Sequence, residues 1–238
     1  MEKIRSEIRS TEHGVKVIYR RLSDYLAKKL KNTPLTPNQA TLISNIFALS
    51  SLLILIFLGR DMLWRVLFAV LVQLSTIFDF LDGSLAREKD MKTKFGSWVD
   101  CIGDRLFWAA SLLTIIYITY QSHPELKVII LGFLTLSFTA LIQLYNLYFQ
   151  RDYGEILIGT IKYIKTESKL GRIAKHFFYT ESSYLLLVSL FVLADQFYLL
   201  LWVLAIYSGA FLIAEILYLT KVLIKYDRRL KIVEKPQQ

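Results

Sequence analysis

Apolar runs long enough to cross a lipid bilayer recur through this chain of 238 residues, and they limit its fold more than any other feature. A hydrocarbon core of about 30 Å takes roughly 20 residues of helix to cross. Ala40–Gly59 and Ala205–Leu219 show the type: long blocks with scarcely a charge rather than short amphipathic repeats. A hydrophobic fraction of 54% exceeds what the core of a soluble domain of this length needs. The expected architecture is an all-α integral membrane protein with a single membrane domain over residues 35–225. A cytoplasmic amino-terminal segment, 1–34, precedes it and a cytoplasmic tail, 226–238, follows.

Six transmembrane helices are expected. Thr36 and Pro37 suit the N-cap and first position of a span running to about Leu58. The second runs from Met62 to about Leu81, the third from about Gly96 to Tyr120, and the fourth over about Leu126–Phe149. Residues 150–177 are mixed and basic, too polar to cross. The apolar stretch of about Phe178–Leu223 is too long for one span, and a break at Asp195–Gln196 divides it into the fifth and sixth. Ahead of these, Val15, Ile18, Leu22, Tyr25, Leu26 and Leu30 recur at helical spacing. Lys16, Arg20, Arg21, Lys28 and Lys29 fill much of the remaining surface. Such a helix suits the cytoplasmic interface of a membrane; an ordinary surface helix docked on its own domain shows the same pattern.

The formal charge of +9 raises the question of nucleic acid, and position answers it. Of the 29 Lys and Arg, 25 fall in residues 1–37, 87–94, 151–175 and 221–235, all flanking apolar spans. Alternation of basic-rich and basic-poor connections is the positive-inside pattern, and it argues for contact with membrane lipids and against nucleic acid. With six spans it puts both termini on the cytoplasmic side of the cell membrane. Cys101 is the single cysteine, so an intrachain disulfide is excluded. The first 35 residues lack the apolar core of a cleavable signal peptide.

Chemistry concentrates in residues 79–105. Asp79 and Asp82 stand three apart, Asp100 and Asp104 four apart. On helices each pair projects from one face, and the two spans are joined by a short loop. Four carboxylates in a partly buried site need compensation, and oxygen ligands suit Mg²⁺ or Mn²⁺. Four Asp residues suffice for two such ions, an arrangement that recurs in phosphoryl chemistry. The absence of a His or Cys cluster argues against zinc. Gly83, Ala86, Gly96 and Gly103 line the carboxylate faces. They leave room for a base and ribose, or they let helices pack closely. Asp61, Asp90 and Asp195 read as turn residues.

The run Asp79-x2-Asp82-Gly83-x2-Ala86-Arg87-x8-Gly96-x3-Asp100-x3-Asp104 resembles the complete signature of the CDP-alcohol phosphotransferase (CDP-alcohol phosphatidyltransferase) family, class I, at all eight fixed positions. The resemblance implies metal-dependent transfer of a phosphoalcohol from a CDP-alcohol donor to an acceptor hydroxyl, with release of CMP, in phospholipid or inositol-phosphodiester biosynthesis. It implies that Asp79, Asp82 and Asp100 ligate two ions, with Asp104 as general base and possible shared ligand. Asn38, Thr41, Asp82, Gly83, Ala86, Arg87 and Gly96 are then the nucleotide-binding residues. It also implies a homodimer with a cytoplasmic active site.

On the acceptor side the chain departs from inositol-phosphate-using members. Tyr179-Thr-Glu181-Ser-Ser-Tyr184, which opens the fifth span, carries no Arg. Arg151, Lys169, Arg172 and Lys175 are the acceptor-binding candidates, with His176 beside them; contact with lipid heads explains their positions equally well. The segment through Thr41 resembles the membrane domains of di-myo-inositol-phosphate-phosphate synthases and related archaeal or thermophile enzymes. A cation- or proton-coupled transporter is the alternative function, but clustering of the acids at one end fits it poorly.

Overall fold

The computed structural model of the chain describes residues 15–164 and 181–233. Seven α-helices make up these residues: α1 (Val15–Leu30), α2 (Pro37–Leu58), α3 (Met62–Glu88), α4 (Lys94–Ser122), α5 (Leu126–Ile164), α6 (Glu181–Leu193) and α7 (Phe197–Val233). Five contain a segment long and apolar enough to cross a membrane: Pro37–Leu58, Met62–Glu88, Lys94–Ser122, Leu126–Tyr145 and Phe197–Lys221. The expected fifth span appears as α6, whose 13 residues reach roughly 20 Å, less than a bilayer core. Residues 165–180, just before it, lie outside the described region.

Local chemistry explains most boundaries. Thr36 caps α2 in a reciprocal box: its Oγ1 accepts from the Gln39 amide at 3.3 Å, and Gln39 Oε1 accepts from the Thr36 amide at 2.9 Å. α3 continues past Leu81 to Glu88, so Asp79 and Asp82 stand within a helix and not at its end. Thr93 caps α4 by accepting from the Gly96 amide at 3.0 Å. α5 outlasts its apolar segment, because polarity ends a membrane span without ending a helix and residues 150–164 contain no proline. The break between α6 and α7 falls at the expected place despite having no Gly or Pro. Asp195 takes it with φ at +59°, a conformation Asp tolerates better than most side chains. Asp90 does the same after α3, with φ at +53°.

Along much of α2 the inward face is small and polar and the outward face large and apolar. Ser44, Ala48 and Ser51 of α2 are buried, while Leu42, Ile46, Leu49, Leu53 and Phe57 are exposed on its outer side. Small residues let membrane helices approach closely, and the buried hydroxyls find carbonyl partners. Ser44 Oγ donates to the Ser75 carbonyl at 2.9 Å, joining α2 to α3. The main core gathers Leu55, Phe68, Leu112, Tyr184, Leu200 and Leu204 from α2, α3, α4, α6 and α7. α3 is central and packs against α2, α1 and α6. α3 and α4 are not a closely packed pair; α2 packs against both, which leaves an opening between the two aspartate-bearing helices.

α1 docks by an unexpected face. Tyr19, Ser23 and Ala27 are buried, whereas Ile18 is 68% and Tyr25 54% exposed, with Leu22 also exposed. Ser23 Oγ donates to the Ile77 carbonyl at 3.1 Å, and the Tyr19 hydroxyl donates to Gln73 Oε1. A small second core of Ala27, Ala40, Leu81 and Leu85 completes the contact. An ordinary surface helix would bury its apolar stripe; α1 divides it, with Leu26 and Leu30 packed against the second core and Ile18, Leu22 and Tyr25 turned outward.

Candidate active site

A cavity of about 270 Å³ lies where α1, α2, α3, α4 and α6 converge. All four aspartates reach it: Asp79 and Asp82 from α3, Asp100 and Asp104 from α4. One carboxylate oxygen from each of Asp79, Asp82 and Asp100 lies within 4.8 Å of the others. The sequence spacing thus translates into one acidic cluster drawn from two helices. Asp104 lines the cavity but stands outside that group of three.

Supporting contacts differ among the three. Asp82 is buried, and its Oδ2 accepts from the Thr41 hydroxyl at 2.5 Å. Thr41 lies on α2, four residues into the helix that Pro37 and the Thr36 cap begin, so the cap helps to set this contact. Asp100 Oδ1 is buried without a hydrogen-bond partner among the described residues. A buried anionic oxygen without a donor is costly unless a cation meets it. Half-buried Asp79 and buried Asp82 beside it, and an all-oxygen donor set, complete a site that fits hard divalent ions.

The nucleotide candidates divide by position. Gly83 and Arg87 line the cavity on the α3 side. Gly96 approaches Asn38, whose Oδ1 would lie 3.0 Å from a Cβ placed on the glycine, so these two sit side by side across α2 and α4. Gly103 shows the same relation to Asn45, again at 3.0 Å. Thr41, Asn38, Ala86 and Gly96 do not line the cavity itself. Arg87 Nη2 donates to Ser84 Oγ at 2.7 Å and to Asp24 Oδ1 at 3.3 Å, and Ser84 Oγ donates to the same Asp24 oxygen at 2.7 Å.

Asn45, Asp24 and Ser84 are not apparent from sequence, because their roles arise only when distant segments meet. Asp24 and Ser84 are 60 residues apart. Of the acceptor candidates, Arg151 falls on α5, and Lys169, Arg172 and Lys175 lie outside the described residues, as does His176.

The chain is similar to known proteins. The model of the CDP-alcohol phosphatidyltransferase family matches residues 34–208. The bifunctional IPC transferase and DIPP synthase of Aquifex aeolicus is 35% identical over 85 residues, 36% of this chain and 17% of that protein. The phosphatidylinositol phosphate synthase of Corynebacterium glutamicum is 38% identical over 81 residues, 34% of this chain and 35% of that enzyme. Its namesake from Mycobacterium marinum is 33% identical over 90 residues, 37% and 36% of the two chains. The matched stretches thus span about a third or less of each relative's length.

Proposed function

We propose, for a chain that belongs to the CDP-alcohol phosphatidyltransferase family, that it transfers a phosphoalcohol from a CDP-alcohol to an acceptor hydroxyl and releases CMP. The observation that carries this reading is the convergence of Asp79, Asp82 and Asp100 within 4.8 Å, with Asp104 on the same cavity wall. Asp79, Asp82 and Asp100 would hold two divalent ions, Mg²⁺ or Mn²⁺. When bound, such ions offset the charge of a pyrophosphate and of the departing phosphate.

The chain's own residues then divide the work. Thr41 fixes the Asp82 carboxylate through its hydroxyl. Gly83 leaves the α3 wall open to the nucleotide, Arg87 supplies a positive charge beside it, and Asn38, Ala86 and Gly96 flank the same end. Asp104, on the cavity wall beside the three-carboxylate group, accepts the proton of the acceptor hydroxyl. The resulting oxygen bonds to the β-phosphorus as the bond from that phosphorus to the CMP oxygen breaks. Holding the reactants in line supplies much of the acceleration in such a transfer.

The exposed Ile18, Leu22 and Tyr25 of α1 support an interfacial position for that helix. We place the cavity and both termini on the cytoplasmic side, where the basic segments cluster and a soluble nucleotide arrives, and expect a homodimer. The activities by which the relatives are named support an inositol- or phospholipid-linked substrate.

Asp104→Asn tests the assignment of the base. CMP release should fall by about two to four orders of magnitude while CDP affinity stays near that of the unaltered chain. Near-normal turnover by the variant would remove Asp104 from this role.

A further inference from the structure

Two asparagines of α2 sit against two glycines of α4 with the same spacing on both helices. Asn38 meets Gly96 and Asn45 meets Gly103, so both helices advance by two turns from the first contact to the second. α2 and α4 therefore run parallel and in register along this seam. The first pair flanks the nucleotide end and lies off the cavity, whereas Asn45 and Gly103 both form part of its wall. Gly103 directly precedes Asp104, so the Asn45 carboxamide reaches the wall beside the proposed base.

Gly103 is what admits that carboxamide. A Cβ at this position would stand 3.0 Å from Asn45 Oδ1 and 3.4 Å from Nδ2. Contacts so short displace the neighbour by a few tenths of an ångström, and here the neighbour is the tip of a side chain, not backbone. An alanine would thus shift the amide while the helices stay packed.

The neighbouring hydroxyls of the wall are already engaged. Ser44 Oγ donates to the Ser75 carbonyl at 2.9 Å, and Thr76 Oγ1 donates to the Val72 carbonyl at 2.9 Å. Asn45 has no hydrogen-bond partner among the described residues. The polar side chains that α4 adds to the wall are Asp100 and Asp104, and an ionised carboxylate only accepts. Asn45 Nδ2 is therefore the uncommitted neutral donor that α2 and α4 present to a ligand.

In phosphoryl transfer negative charge spreads over the oxygens of the moving group, and a donor fixed toward that charge in a site shielded from water stabilises it. A neutral amide does so without altering the balance between carboxylates and divalent ions. We propose that Asn45 donates a hydrogen bond from Nδ2 to a non-bridging oxygen of the phosphoryl group under transfer, and that Gly103 makes room for it to do so. The amide keeps its protons throughout. The identity of the moving group rests on the transferase reading; the placement of the donor rests on the cavity.

The test uses the full chain in phosphatidylcholine nanodiscs with Mg²⁺, alongside Asn45→Ala, Gly103→Ala and the double variant. CMP release from a CDP-alcohol and CDP binding are measured for each. Orthovanadate, standing in for the phosphoryl group, is titrated in the presence of CMP. Asn45→Ala should lower kcat about tenfold or more, with CDP affinity changed by less than about twofold. Gly103→Ala should also lower kcat, and the double variant should match Asn45→Ala within about twofold, because both changes remove one interaction. Vanadate binding should weaken alongside kcat. Equal loss of CDP affinity and turnover in Asn45→Ala overturns the proposal, since the residue would then serve packing or nucleotide binding. Unchanged kcat overturns it too, as do independent, multiplying losses in the double variant. An unaltered chain that binds CMP but transfers from no CDP-alcohol contradicts the transferase reading instead. The vanadate titration then decides the donor alone: weakening in Asn45→Ala supports it, and unchanged or absent binding contradicts it.

Discussion

Thr41 carries no charge, yet its hydroxyl at 2.5 Å holds one oxygen of Asp82 in place beside the other carboxylates. Ligands to a metal depend on such partners, whose removal weakens binding by about ten- to a hundredfold. Thr41→Val keeps the shape and removes the donor. The Mg²⁺ concentration giving half-maximal CMP release should then rise at least about tenfold, with the folded state retained. An unchanged Mg²⁺ titration would mean that Asp82 needs no help from α2. At this scale the aspartates were legible in the sequence, because spacings of three and four map directly onto a helix face. Thr41 was legible only as a neighbour of the nucleotide; its bond to Asp82 required α2 and α3 to be brought together. Asn45 was not legible, since its approach to Gly103 gives no local signal.

Among the elements, α1 departs most from its sequence pattern. Its spacing showed a helix with an apolar stripe, and the helix is there over Val15–Leu30. Which side docks could not be read, because Tyr19, Ser23 and Ala27 form no apolar stripe and bind through hydroxyls and small size. The link from α1 to the site is Asp24, whose ion pair with Arg87 is partly exposed on both sides. Exposed pairs add little to stability, so its effect should appear in substrate binding. Asp24→Ala should raise KM for the CDP-alcohol roughly three- to tenfold and leave the thermal midpoint nearly unchanged. A lowered midpoint with KM intact would limit Asp24 to docking. The α6–α7 break shows the opposite case: its place was legible from polarity, although the means, a positive φ at Asp195 supported by an ion pair to Arg65, was not.

Across the whole molecule, the apolar blocks foretold an all-helical membrane protein, and five candidate spans bear this out among the described residues. The sixth span depends on residues before α6. The gap between α3 and α4 also escaped the sequence, whose short loop showed only that the two spans are neighbours; the carboxylates meet across a cavity because α2 packs against both helices. Sidedness is open to a direct check. Cys101 is the single cysteine, exposed and next to Asp100. A membrane-impermeant maleimide should leave it unlabelled in intact cells and label it after lysis; labelling in intact cells would invert the proposed orientation.

The central claim is that the aspartate cavity performs a divalent-ion-dependent transfer from a CDP-alcohol. Its most direct test is a screen of CDP-alcohol donors against acceptor alcohols with the full chain in liposomes, following CMP and product mass with Mg²⁺, with Mn²⁺ and with chelator. The account predicts CMP and transferred product in equal amounts for at least one pair, abolished by chelator. CMP release that persists in chelator, or none with any donor, would contradict it.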